Sequence, residues 1–452
     1  MPCGAGSVTA PSQLCSALDC TALLVSAKRG SKTGTTLKLY KEDSMQGRLT
    51  LSGRRPRAAA LAALLGAVFA ASSGRTAFAG ETTFAGTIFT DATSRRNTDD
   101  ATNTDDSRSG VGFDLTRFYS TVIYKHDDRW SANFTADVCD KVTVTTAVPN
   151  GTGGTTNVTS SKSSRCEVFI KKAYIQGHFS DPVNFRLGAA DLAWVPYIEA
   201  DNRYRYLEPV LIDHFGFGAS TDWGLHYYGR MGIVSYQLSA VNGGTYNEAS
   251  NFRTKSVDFE GRLAVEPIAG LKVAVGGYKG KRGQEVDVPP GSTARFQDGT
   301  RWNAMASYTH PKFRLGGEWF KAEDFANTRY TAPAAGRPTP SDEAQGWSVW
   351  GAFVISPTLE VIARHDELEA NKEFGRFNNP TTFNPRKLGP EGTYTHVGIQ
   401  YQINSAFLAT LAWKRIKAEN GRLPGVNVGS TNTALANGGD LNEVGIWTQF
   451  KW

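Results

Sequence analysis

Residues Trp130 to Cys139 read WSANFTADVC, with Trp130, Ala132, Phe134, Ala136 and Val138 on one parity and Ser131, Asn133, Thr135, Asp137 and Cys139 on the other. A period of two is that of a strand whose faces meet different surroundings. The pattern recurs along the chain. Val234, Tyr236, Leu238 and Ala240 alternate with Ser235, Gln237 and Ser239, and Val257, Phe259, Leu263 and Val265 with Ser256, Asp258, Glu260, Arg262 and Glu266. Trp302, Ala304, Ala306 and Tyr308 stand against Arg301, Asn303 and Ser307, and Val397, Ile399, Tyr401 and Ile403 against His396, Gln400 and Gln402. No stretch after Gly80 sustains a 3.6-residue period, so the pattern predicts an all-β chain.

The connections come in two alternating sizes. Seven are short and of turn composition, among them His126-Asp127-Asp128, Ser180-Asp181-Pro182, His310-Pro311 and Asn404-Ser405. Eight are long and rich in Gly, Asn, Thr and Pro, near residues 91–110, 140–165, 190–220, 243–253, 280–299, 322–345, 367–392 and 416–441. Fifteen such links join about sixteen strands, with every long loop at one end. A soluble sandwich also alternates, but not in its connections. The expected fold is therefore a transmembrane antiparallel β-barrel with short periplasmic turns and long extracellular loops, because a bilayer admits only helices or closed barrels. Trp130, Phe134 and Val138 would face lipid, and Ser131, Asn133, Thr135 and Asp137 a wet lumen.

The beginning of the chain changes the charge argument. Arg54, Arg55 and Arg57 precede the uncharged stretch Ala58 to Ala71, and Ala77-Phe78-Ala79 follows before Gly80. Those are the parts of a secretory signal peptide, and the apolar stretch is shorter than the roughly 20 residues of a spanning helix. Met45 makes a conventional start. The expected organisation is thus a non-functional extension over 1–44, a signal peptide over 45–79 and a barrel over 80–452. Of 49 Lys and Arg and 43 Asp and Glu, ten and three fall in residues 1–79, leaving 39 against 40. The exported chain is near neutral, and its charge gives no reason to expect a nucleic-acid partner.

Cys3, Cys15 and Cys20 leave with the leader, so Cys139 and Cys166 remain, and two cysteines in an exported protein are expected to bond. Cys139 falls on the inward parity of the third strand. Reading Phe169, Ala173 and Ile175 as outward on the fourth puts Cys166 inward as well. No CxxC pair survives, and neither a metal nor a cofactor is expected.

The chain ends Val444-Gly445-Ile446-Trp447-Thr448-Gln449-Phe450-Lys451-Trp452, which resembles the C-terminal signature of outer-membrane barrels read by the barrel-assembly machinery. From Phe113-Asp114-Leu115-Thr116-Arg117-Phe118 through Trp130-Ser131, Ala173-Tyr174-Ile175 and Phe185-Arg186-Leu187-Gly188, the stretch of roughly 110 to 245 resembles the phosphate- and polyphosphate-selective porins of Gram-negative bacteria. That resemblance implies a homotrimeric outer-membrane channel, set among outer-membrane lipid and lipopolysaccharide, whose third long loop folds inward. Where the family carries a basic segment, this chain has Asp191-Leu192-Ala193-Trp194-Val195-Pro196.

Selectivity in a pore comes from side chains at its constriction, so the third loop matters most. It holds Asp191, Glu199, Asp201, Glu208, Asp213 and Asp222 against Arg203 and Arg205, which favours cations if all face the lumen. Arg203 and Arg205 could together hold a carboxylate or phosphate, or bond to loop carboxylates as anchors. Lys172, Arg186, Arg262, Arg301, Arg314 and Arg364 are expected inward on the strands, with Asp137, Asp258, Glu260, Glu318 and Glu360 as inward acids. They make either a transverse field for polar solutes or mutual pairs. Trp194, Tyr197, Tyr204 and Tyr206 could stack on a sugar, or pack the loop to the wall. Asp99-Asp100 and Asp105-Asp106 lack the EF-hand spacing and read as a solvated loop. The seven histidines sit outside HExxH and GxSxG contexts, so the expectation is a non-enzymatic, weakly selective channel for small hydrophilic solutes and ions. A phosphate- or polyphosphate-selective anion porin, a sugar-specific porin and a barrel hydrolase are the alternatives.

Overall fold

The computed structural model describes residues 80–99, 104–105, 109–138, 144–149, 155–160, 168–246, 254–283, 294–325, 329–331, 341–373, 389–420 and 438–452. The extension over 1–44, the leader over 45–79, Asp100, Asp106, Cys139 and Cys166 lie outside them.

Sixteen strands form the wall: β1 (Glu81–Asp99), β2 (Gly110–Lys125), β3 (Trp130–Val138), β4 (Val168–Ser180), β5 (Val183–Asp191), β6 (Thr221–Met231), β7 (Val234–Val241) and β8 (Asp258–Ile268). They continue with β9 (Leu271–Gly280), β10 (Gly299–His310), β11 (Phe313–Glu323), β12 (Glu343–Ser356), β13 (Leu359–Ala370), β14 (Glu391–Gln402), β15 (Phe407–Glu419) and β16 (Gly438–Lys451). Each pairs antiparallel with its successor, and β1 pairs with β16 from Thr87↔Lys451 to Asp99↔Gly439, so the sheet closes. Closure leaves no unpaired edge, which is what a strand in lipid requires. Thr90 and Thr448 face each other across this seam with hydroxyls 2.6 Å apart.

The outer face is apolar. Phe84, Phe134, Ile175, Leu238, Phe259, Trp302, Leu315, Phe353, Ile399 and Val444 are among its exposed side chains. At the short-turn end aromatic rings gather, as at a bilayer interface. Trp130 lies 5.8 Å from both Phe179 and Phe185, Tyr227 packs on Tyr236, and Phe450 stacks on Trp452. Trp452 also exchanges backbone hydrogen bonds with Gly86, and a Cβ on Gly86 would stand 1.9 Å from the Trp452 ring. Only glycine leaves room for that indole at the seam.

Two sequence expectations fail here. β1 runs on to Asp99, well into the stretch 91–110 read as loop, because Asp91, Thr93 and Asn97 take buried inward positions opposite β16. Its polar composition comes from facing water and protein, where lipid selects nothing apolar. In β4, Thr135 pairs with Lys172 but Ala136 with Ile170, so Lys171 is a bulge that adds one residue to the strand. The extra residue reverses the parity beyond it. Phe169 pairs with inward Asp137 and stacks on Tyr246, facing the lumen and not lipid as the sequence suggested. The shared inward parity argued for Cys139 and Cys166 loses that premise.

Candidate functional site

Between β5 and β6 the chain turns into the barrel and builds its core. Trp194, Ile198, Leu211, Ile212, Phe215 and Phe217 are all at most 1% exposed and pack against Met305, Phe320, Trp350, Tyr394 and Ile416 of the wall. Two helices carry this segment, α1 (Val195–Asn202), with Pro196 in its first turn, and α2 (Leu211–His214). α1 ends at Arg203, whose φ of 69° and ψ of 0° put it in the left-handed region.

An irregular segment inside a barrel must find partners for its own backbone. Charged side chains of the wall provide them. Glu260 accepts the Trp194 N–H at 3.0 Å, and Glu318 accepts the Leu211 N–H at 3.0 Å and the Trp194 indole at 3.4 Å. In the other direction Arg262 donates to Ala193 at 3.0 Å, Arg364 to Pro209 at 2.6 Å, Lys414 to Leu207 at 3.3 Å and Arg301 to Phe217. Tyr204 bonds to Glu360 and Arg314, and Tyr206 to Gln400 and Thr410.

The acids of the loop are engaged in the same way. Asp191 pairs with Lys172 at 2.6 Å and stands 3.7 Å from Arg186. Asp201 pairs with Lys272 at 2.6 Å and accepts from Ser307. Glu208 meets Lys414 at 3.2 Å and His214 at 3.3 Å. Arg205 joins Glu199 at 2.8 Å and Asp213 at 3.7 Å, and Asp222 accepts the N–H groups of Trp223 and Gly243. Five of these six acids therefore stand in ion pairs, and Asp222 is held by backbone N–H groups. Arg205 is an anchor, whereas Arg203 is exposed and has no ion-pair partner among the described residues.

Three of the four aromatic residues considered for sugar stacking, Trp194, Tyr204 and Tyr206, are at most 3% exposed and pack the loop. Tyr197 is half-buried under Arg262, 3.7 Å from the guanidinium carbon. Arg186 lies over Tyr228 at 4.6 Å and bonds to Gln176, and Arg314 makes a two-point contact with Glu360, each bond 3.0 Å. Asp105 pairs with Arg96 and remains exposed. Among the described residues no cluster suited to a metal is found.

On the wall near Arg205 the sequence reading placed Asp137 inward but missed its partners Arg117 and Lys171. Arg117 pairs with Asp137 at 3.1 Å, and Lys171 lies 3.8 Å from the Tyr246 ring and 5.9 Å from that of Tyr119. Arg205 and Asp213 are within electrostatic reach of this group. Arg117, Lys171 and Arg205 thus cluster with Asp137, Glu199 and Asp213 where the loop meets the wall. The signal was present in the adjacent Lys171 and Lys172, which break the alternation of β4.

Toward the short turns the loop roofs a cavity of about 650 Å³ whose walls come from β11 to β16. Glu199, Arg203 and Arg205 reach it from above and Arg314, Glu360 and Lys451 from the sides. Burial pushes the Glu199 carboxyl up to about 7, against the pull of Arg205 and with the help of Asp213. Glu208 goes the other way: burial alone would raise it, but Lys414 and His214 hold it well below the usual carboxylate range.

No family model and no curated protein matches the chain. Among solved structures it is similar to an anion-selective porin from Comamonas acidovorans, at 11% identity over 82% of this chain and 100% of that one, with a TM-score of 0.53. The outer membrane channel DcaP of Acinetobacter baumannii matches at 11% identity over 84% and 99%, TM-score 0.53. A loop-deletion form of the outer membrane protein OmpT of Vibrio cholerae matches at 11% over 83% and 100%, TM-score 0.50. At such identities the likeness is one of fold, and this chain has the closed-barrel architecture of outer-membrane porins.

Proposed function

We propose that the chain is an outer-membrane porin, a water-filled channel for passive diffusion of small hydrophilic solutes and ions. The observation that carries this reading is the closed sixteen-stranded barrel with an apolar outside and an inward loop that leaves a polar cavity beside it. Large barrels of this size enclose aqueous paths. Weak selectivity is supported by the pairing of charges around the loop, where Arg117, Lys171 and Arg205 stand with Asp137, Glu199 and Asp213. In planar bilayers the purified protein should give stepwise, ohmic conductance. Silence from folded, heat-modifiable protein in several lipids would sink the reading.

The exported form begins near Gly80, assembles as a homotrimer in contact with outer-membrane lipid and lipopolysaccharide, and presents its last strand with Trp452 to the barrel-assembly machinery. These points rest on the leader pattern and the resemblance to phosphate-selective porins. Phosphate selectivity is a second reading, supported by the uncommitted Arg203. A hydrolytic role has little support. His226 and Ser239 lie 3.0 Å apart, but they are 0% and 2% exposed, and a nucleophile must be reachable. Lipid and peptide substrates offered to the purified protein would test this.

A further inference from the structure

On the outer face of the wall, toward the long-loop ends of β6 to β10, lies an apolar groove of about 540 Å³. Small residues floor it, namely Ala240 on β7, Gly261 on β8 and Gly277 on β9. Large ones, Leu238, Phe259 and Trp302, rise beside them and are 60–68% exposed. The register sets floor and banks side by side, with Leu238 opposite Gly261, Gly261 opposite Gly277, and Gly277 opposite Trp302. Lys279, one residue from the long-loop end of β9, stands at the head of the groove. It is two-thirds exposed, and its ion-pair partner among the described residues is Asp298 at 3.5 Å.

Behind this groove the wall is bare on its inner side as well. Gly276 turns no side chain inward, and a Cβ there would stand 2.6 Å from the Trp194 ring. Only backbone therefore separates the loop's Trp194 from the groove. Glu260, which accepts the Trp194 N–H, sits between Phe259 and Gly261 in β8. Arg301, which pairs with Glu260 at 2.8 Å and donates to Phe217, precedes Trp302 in β10. The strands that hold the loop on the inside are those that shape the groove on the outside.

We propose that the groove seats one acyl chain of a lipid A molecule, with Lys279 meeting a lipid A phosphate, and that the seated chain braces the strands anchoring the loop. Long loops mark the outer leaflet, whose lipid carries phosphates above saturated chains. A cation above an apolar slot matches that order. Both chain and groove are apolar, so the seat gains from close packing and from the phosphate contact, without a hydrophobic driving force. This inference rests on the outer-membrane porin reading and gives its wall a fixed lipid partner.

The test titrates the full-length protein, stripped of lipid in detergent, with purified lipid A and counts bound copies by native mass spectrometry. Wild type should retain lipid A in preference to phosphatidylglycerol. The half-saturating concentration should rise about fivefold in Lys279→Ala, the scale for one lysine beside an anionic lipid. Binding should be lost in Ala240→Phe, whose ring fills the slot on a face that already carries apolar side chains. Ala363→Phe, on the exposed outward face of β13, should bind as wild type does. In planar bilayers lipid A should lower the open-channel noise of the wild type and leave that of Ala240→Phe unchanged. No retention by wild type, equal retention of phosphatidylglycerol, or undiminished binding in Ala240→Phe would each overturn the proposal. A change of oligomer size in Ala240→Phe would also overturn it, by making the groove a contact between copies. The same noise response in both proteins would overturn the bracing. A wild type that binds lipid A and never conducts would instead overturn the porin reading.

Discussion

Glu318 on β11 accepts the backbone N–H of Leu211 at 3.0 Å and so fixes the start of the second loop helix to the far wall. It accepts the Trp194 indole as well, and is itself only 4% exposed. Glu318→Ala leaves two buried donors unpaired, at about 1–3 kcal/mol each. The strands keep their own hydrogen bonds, so the barrel should persist while the loop loosens. Single-channel recordings should show greater open-channel noise and higher conductance than wild type, at unchanged heat-modifiability.

Lys414 stands between two carboxylates, 3.2 Å from Glu208 and 3.1 Å from Glu443. Removing the cation leaves buried acids facing each other, a loss of the order of 3–5 kcal/mol. Lys414→Met should lower the temperature at which the folded band converts on a gel. Adding Glu208→Gln should recover part of the loss, since one stranded acid disappears.

Two carboxylates of the same loop are shifted in opposite directions, and this separates two pH effects. Glu199, raised to about 7, takes up a proton between pH 8 and 6, which releases Arg205 from its charge partner with Asp213, Lys171 and Asp191 still nearby. Reversal potentials in a salt gradient should shift toward anions over that window, and Glu199→Gln should abolish the shift. Glu208, depressed, is charged throughout. Its contribution to stability is complete above the ordinary carboxylate value near 4.5 and declines only as pH falls toward its lower folded value. Thermal stability should therefore lose nothing from this anchor between pH 8 and 6.

Cys139 and Cys166 are expected to form a disulfide, as the two cysteines left once the leader is gone. The bond would close a span of 27 residues and contribute roughly 3–4 kcal/mol by the chain-entropy account. Mass spectrometry of the non-reduced protein should find no alkylatable thiol. Two labelled thiols would show them free, and the parity reversal at Lys171 would be the first structural feature to examine.

The wall was legible in the sequence because lipid imposes one rule on every outward position, as Leu238, Trp302 and Ile399 obey. Inside the barrel no such rule holds. Glu260, Glu318 and Glu360 were readable as inward acids, but not as acceptors for loop groups 66, 107 and 156 residues away in the chain. Charge counting treated the loop acids as free, when Lys172, Lys272 and Lys414 wait on the strands to meet them. A bulge hides for the same reason: Lys171 adds one residue and costs the pattern nothing until its partner strand is known.

The seam between β1 and β16 bears on time as much as on shape. Thr90 and Thr448 are 358 residues apart, so the contact that seals the ring joins segments from opposite ends of the chain. Contacts of such separation are slow to form, since the whole intervening loop must be ordered first. Until Trp452 reaches Gly86, both terminal strands carry an open edge able to pair with any other chain. The sequence separation across the seam thus sets how long two adhesive edges stay open, and closing the ring is what removes them.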